Sequence, residues 1–419
     1  MTRLFFLALL ACAVPATAQT GNTLLGRGAL NSVTSGDFNV AVGDSALTNL
    51  TNKSGMVALG FKAGCSHGTS GSSGCDESAS SSTFSGDGNV FIGILSGVRS
   101  TTGTDNVFIG ERAGANVTSS TDNTFIGARS GWRNTTGVDN TFVGETSGTG
   151  ATTGNNNTAV GKGAGSHVST GSDNTFVGSA SGGDTCCGNA TNYTGHKNTG
   201  VGNDALRTIQ NGYRNTALGD SAGFDIGAGN FNTMLGQAAG WATEHADYNT
   251  MVGWSAGGDN NSTNNTNDAN GNTYLGARTG YANRQGEYNV GIGAFSDFAG
   301  SNGFGGRTWE QTTFVGGRAD VGADYTVQVG YGTYTDRDYA SAVGYEADVQ
   351  GFRATALGAY ATIGTGASDA LALGEKATVG NNARQSIAIG SEATIAENAT
   401  NSMALGNGAS VSASNEAYV

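Results

Sequence analysis

Along most of the chain one five-residue pattern recurs: an Asn, a Thr or Val, an apolar residue, an Ile, Val or Leu, and a Gly. Asn106-Val107-Phe108-Ile109-Gly110 and Asn123-Thr124-Phe125-Ile126-Gly127 are two examples. Side chains of an extended segment alternate between faces, so Asn106 and Phe108 share one side while Val107 and Ile109 share the other. The closing glycines run from Gly93 to Gly178 and from Gly202 to Gly253 at intervals of 17, preceded by Gly26, Gly43 and Gly60. After Gly276, Gly293 and Gly316 the period shortens to 14 and then 16, through Gly330, Gly344, Gly358, Gly374, Gly390 and Gly406. A fixed period of this size means stacked, nearly identical units. The expected fold is therefore all-β, a parallel β-roll or β-solenoid of about 22 coils, each made of two short strands and two corners.

Both faces of the step carry apolar groups, and each invites an expectation. The column Phe91, Phe108, Phe125, Phe142 and Phe176 would stack into an aromatic stripe. Left in water it would be a patch of the kind monomers avoid, so it is expected to be an oligomer seam or a binding stripe. The alternative is a coil wide enough to tuck the stripe against its own opposite wall. The other face, with Thr124, Thr141, Thr158 and Thr175 beside Ile126 and Val143, is expected to be the buried one. The amides of Asn106, Asn123, Asn140, Asn157 and Asn174 are expected to form a structural ladder, each bonded to the next coil.

Small residues after each anchor, as in Ala113-Gly114, Ser147-Gly148 and Ala239-Gly240, suit tight corners. Four stretches break the period: 64–88, 182–197, 258–271 and 294–312. On a constant scaffold such loops are the natural place for contacts, and Phe298, Phe304 and Trp309 in the last are contact candidates; a hydrophobic collar between two coil types is the other reading. The chain thus divides into a leader (1–18), a 17-residue-repeat solenoid (19–316) and a 14/16-residue-repeat roll (317–419). In the last, steps such as Ser386-Ile387-Ala388-Ile389-Gly390 have one aliphatic face and one of Ser and Ala, which would let chains or sheets approach closely.

Composition agrees. There are 71 glycines and one proline, Pro15. Proline cannot donate to a β ladder and is expelled from sheets. Arg3, the apolar run Leu4–Ala11 and Ala16-Thr17-Ala18 read as a secretory signal, so an extracellular or cell-surface location is expected. No later run is long enough for a membrane helix. The net charge of −13 argues against nucleic acid as a partner. Cys65, Cys75, Cys186 and Cys187 lie in the interruptions, and in an oxidising compartment they are disulfide candidates whose connectivity is open.

Candidate chemistry is thin. Asp105, Asp122, Asp139 and Asp173 precede ladder asparagines, and as a column of like charge they are calcium candidates or solvated turn residues. No other cofactor is implied. His67, His167, His196 and His245 are scattered without metal-ligand spacing, and Gly161-Lys162-Gly163 lacks the frame of a phosphate loop. The chain is expected not to be an enzyme.

Ala354-Thr355-Ala356-Leu357-Gly358-Ala359-Tyr360-Ala361 and Ile389-Gly390-Ser391-Glu392-Ala393 resemble the head repeats of trimeric autotransporter adhesins of the YadA type, over roughly residues 317 to 419. The 17-residue array looks like a related repeat of secreted bacterial surface and tail-fibre-like proteins. The resemblance implies a left-handed roll, assembly as a homotrimer and attachment to host or environmental surfaces. Neither a heptad stalk nor a set of outer-membrane anchor strands follows, which leaves a truncated autotransporter passenger as one alternative. The incomplete final step, Asn415-Glu416-Ala417-Tyr418-Val419, suggests end-to-end stacking of subunits. The function expected is that of an exported, non-catalytic adhesin or fibre-forming structural protein. The rival is a soluble roll that binds ice, calcium or a glycan.

Overall fold

In the computed structural model the described residues are 20–33, 35–65, 86–183, 193–260, 269–298 and 309–419. Cys75, Cys186, Cys187, Phe304, His67 and the leader lie outside them. The chain divides into two compact units, Met1–Thr136 and Gly137–Val419. Each is a stack of parallel strands in a β-solenoid, with no helix among the described residues.

Among the described residues of the first unit the pattern produces six three-residue strands, Thr23–Leu25, Val40–Val42, Val57–Leu59, Val90–Ile92, Val107–Ile109 and Thr124–Ile126. They pair in strict register, Val107 with Thr124, Phe108 with Phe125 and Ile109 with Ile126. The anchor glycines make this register possible. Gly110 has φ +137°, and a β-carbon there would lie 2.4 Å from the Gly127 carbonyl oxygen of the next coil. Only a residue without a side chain combines that dihedral with that approach.

The middle residue of each strand points inward. Phe91, Phe108 and Phe125 are fully buried, with ring centroids 5.4 Å apart for Phe91–Phe108 and 4.9 Å for Phe108–Phe125. In the second unit Phe142, Ala159, Phe176, Met234, Met251, Tyr274 and Phe314 continue the same inner position. The Phe stripe is therefore each unit's own core and not an oligomer seam, and the alternative of a coil that closes over it is the one observed. The face carrying Thr and Ile is the outer one. The two faces are thus inverted relative to the expectation that the Thr and Ile side lies inside. Asn106 is fully buried, its amide satisfied within the stack, so a polar group next to Phe108 does not mark an exposed face.

The 17-residue coils also differ from expectation in having one strand instead of two. After the strand come two successive tight turns, Ala113 N–H donating to Gly110 O and Val117 N–H to Gly114 O. Arg112 and Gly114 adopt φ near +57° and +58°, so the chain bends where a second strand would have to extend. Among the described residues, paired second strands begin at Asp297–Phe298 and run to Ser410–Val411 as an eight-stranded parallel sheet. With fewer residues per coil the two walls draw together, and the inner column becomes Ala342, Ala356, Ala372, Ala388 and Ala404. Val349, Ile363, Val379 and Ile395 from the second wall fill the interior opposite them. The small-residue face thus brings the two walls of one chain together, not two chains.

The change of coil type is sealed by aromatic packing. Phe298 stacks on Trp309 at 5.1 Å and meets Phe314 edge-on at 5.4 Å, with Tyr274 at 6.3 Å. Phe298 and Trp309 are 2% and 6% exposed. They form a collar between coil types and are not available as loop contacts. Gln328 occupies the inner position of the first short coil. Its Nε2 donates to Thr335 Oγ1 at 2.6 Å and Asp320 O at 2.9 Å, and its Oε1 accepts from Thr333 Oγ1 at 3.1 Å.

Candidate functional site: an outward strand face and a cationic groove

The Asn column is a hydrogen-bonded ladder. Asn157 Oδ1 accepts from the Asn174 backbone N–H at 3.1 Å and from its Nδ2 at 3.0 Å, while Asn157 Nδ2 donates to Asn140 Oδ1 and Gly171 O. In the first unit Asn106 and Asn123 bond in the same way. These amides spend their capacity on the fold and offer nothing to a ligand.

Asp105, Asp122, Asp139 and Asp173 sit at exposed corners with φ near +60°. In the second unit Asn156 stands between Asp139 and Asp173 and donates to Asp173 at 3.3 Å, so this part of the column alternates carboxylate and amide. No group of three acidic, His or Cys side chains suited to a metal ion occurs among the described residues. His167, His196 and His245 are not brought together; His167 Nδ1 lies 3.2 Å from Ser166 Oγ and His196 Nδ1 accepts from the Ser172 N–H at 2.9 Å. Cys65, described alone among the cysteines, is buried.

Two surfaces do offer something. The first is the outer face of the strands, which the sequence argument placed inside. In the second unit Thr141, Thr158, Thr175, Thr199, Thr216, Thr233, Thr250 and Thr273 stand in register. Beside them runs an aliphatic column in which Leu218, Leu235 and Leu275 are each more than 40% exposed. Toward residue 405 the face becomes wholly aliphatic, with Leu371 and Leu373 paired to Ile387 and Ile389, and these to Met403 and Leu405. Charged residues follow several anchors, among them the Glu145–Lys162 pair at 3.1 Å and the Glu375–Lys376 pair. An apolar strip with a charged rim is the usual anatomy of a protein interface.

The second surface is a groove of about 510 Å³ on the corner that precedes the strands. The corner position is Asp173 in one coil, Lys197 in the next and Arg214 in the one after, stacked by the Lys197 N–H to Ser172 O and Arg214 N–H to His196 O bonds. Tyr213 also lines the groove and meets Phe231 edge-on at 4.9 Å, while Phe231 stacks on Tyr248. Periodicity hid this groove, because it arises where one corner position changes residue type from coil to coil.

Two acidic groups deserve notice for their titration. Burial pushes the Asp297 carboxyl up to about 6, against the Ala282 N–H that it accepts at 3.1 Å. Burial, then a hydrogen bond to Asp225 and its charge, raise Glu244 to about 8.

No protein-family model matches the chain, and no curated protein matches it significantly. Among solved structures it is similar to the collagen-binding domain of the Yersinia adhesin YadA, at 23% identity over 32% of this chain and 66% of that one, with a TM-score of 0.22. The chain thus spans just under two thirds of that domain.

Proposed function

We propose that this chain is an exported, non-catalytic adhesin or fibre-forming structural protein that assembles with copies of itself through the outward strand face. The observation that carries the reading is that face: an outward aliphatic column beside a Thr column that becomes aliphatic toward residue 405, with ion pairs at its margin. Apolar area of this extent gains by removal from water at about 25 cal/mol per Å². A second copy offers a strip of the same spacing, and the YadA-like steps near Gly358 and Gly390 favour three chains around one axis.

Sedimentation equilibrium on the mature chain tests this. A trimer that Leu218→Glu with Leu235→Glu converts to monomer is the expected result. A wild-type monomer at tens of micromolar would refute it.

One observation favours a second reading. Among the described residues no hydroxyl of the in-register threonines from Thr141 to Thr273 makes a hydrogen bond, and their spacing of ~4.8 Å is regular. A flat array of this kind can order water, and a face left uncovered in solution would serve as an ice-binding surface. Thermal hysteresis by a monomeric chain would select this reading over assembly.

A further inference from the structure

The groove beside Tyr213 places two positive side chains one coil apart in a protein with 33 acidic and 20 basic residues. Neither Lys197 nor Arg214 makes an ion pair among the described residues, although elsewhere in the chain cations sit beside carboxylates, as Lys162 does beside Glu145. Stacked like charges repel unless something anionic lies between them. The Arg214 guanidinium lies over the Phe231 ring at 5.3 Å, which fixes its plane while its N–H edges stay open to the groove.

The remaining lining is the Asp173 carboxylate, one coil before Lys197 at the end of the groove away from Arg214, together with polar and aromatic groups. Thr194 donates to Asn211 Oδ1 at 2.9 Å, leaving the Asn211 amide N–H groups for another acceptor. His196 accepts at Nδ1 from the Ser172 N–H, so the neutral ring carries its proton on Nε2 as a donor. Tyr213, 40% exposed, adds an apolar ring. A pair of cations, several hydroxyl-seeking groups and an aromatic ring describe a ligand that is anionic at one point and hydroxylated elsewhere.

We propose that this groove binds an acidic saccharide, with the sugar carboxylate between Lys197 and Arg214 and the ring against Tyr213. Arg214 can meet the carboxylate with two parallel N–H bonds, while Lys197 supplies a point charge. The surrounding acidic surface disfavours long polyanions such as nucleic acid, so recognition is local and favours a short or branched acidic sugar. The assignment deepens the adhesive reading and rests on it for its biological use, but its chemistry does not depend on how many chains assemble.

The test is calorimetric titration of the full mature chain with oligogalacturonate and with a neutral galactan oligosaccharide of equal length. Oligogalacturonate is expected to bind more tightly than the neutral oligosaccharide, and less tightly as salt is raised. Lys197→Ala with Arg214→Ala should weaken it by at least about tenfold, the loss expected for charged hydrogen bonds. Tyr213→Ala should weaken both sugars without changing the salt dependence. All three side chains are exposed, so circular dichroism should show the fold intact. Equal binding of the acidic and neutral sugars, an unaffected double variant, or inorganic sulfate binding as tightly as the saccharide would each overturn the proposal. Sedimentation of the same samples reports on assembly separately, so failure of one reading does not count against the other.

Discussion

A β-carbon added at Gly114 would lie 2.5 Å from the ring of Phe108. This glycine is thus half of a pair, its φ of +58° turning the chain and its bare α-carbon receiving the aromatic ring. Gly97 stands to Phe91, Gly131 to Phe125 and Gly148 to Phe142 in the same relation. Where the inner residue is Ala159, the corresponding contact at Gly165 relaxes to 3.1 Å.

Gly114→Ala is accordingly expected to cost roughly 2–4 kcal/mol, from the left-handed dihedral and overpacking together. Phe108→Ala should cost about 3–5 kcal/mol through the cavity it leaves. The double variant should fall short of the sum, because removing the ring makes room for the new methyl. Urea unfolding of the four proteins gives the cycle, and additive losses would show that ring and glycine are not coupled. Phe108→Ala should lower stability without changing the number of associated chains, unlike Leu235→Glu on the outer face.

Asn157→Ala removes the acceptor of two Asn174 donors and the donor to Gly171 O. A loss on the order of 3 kcal/mol follows from leaving buried polar groups unpaired. Thr158→Val, one residue along but outward, should stay within about 0.5 kcal/mol. Thermal melting followed by circular dichroism separates the two.

Asp297 gives the collar a pH dependence. Burial raises its carboxyl from the ordinary 3.8 to about 6 in the fold. A raised pKa means the native state holds the proton more tightly. The associated stability is fully present below about pH 4 and is lost as pH rises through about 6. Asp297→Asn should leave stability at pH 4 nearly unchanged and raise it at pH 8 by up to ~3 kcal/mol. Denaturant midpoints across that range check the sign.

Glu244 follows the same sign at a higher window. It shares a hydrogen bond with Asp225, which also accepts from Thr208 Oγ1 at 2.6 Å. As pH rises through about 8 the shared proton is lost and two carboxylates face each other. Hydrogen exchange over residues 206–246 should quicken between pH 7 and pH 9, and Glu244→Gln should flatten that response.

Replacing Gln328 by Leu tests the polar plug at the first short coil. It would strand Thr333 and Thr335 hydroxyls in the interior, with an expected cost of about 1–3 kcal/mol. Combining it with Thr333→Val and Thr335→Val should recover part of the loss, as judged by melting temperature.

The sequence by itself determined the stacking. A glycine that alone fits φ near +135° under a neighbouring carbonyl fixes where each coil passes the next, and the recurring Asn fixes the register above it. Period, parallel pairing, the amide ladder and the place where coils shorten all follow from such local demands. Which face turns inward did not follow, because both faces of the step are apolar and alternation cannot rank them. Closure of the coil decided it: the Asn carboxamides find their partners inside the stack, in the Asn and corner carbonyls of adjacent coils, as Asn106 donates to Asn89 Oδ1 and Ser120 O, and burying them carries the Phe inward and leaves Thr and Ile outside. The same closure gathered Lys197, Arg214 and Tyr213 at one corner, a meeting that depends on how coils of unequal content stack and that no single repeat contains.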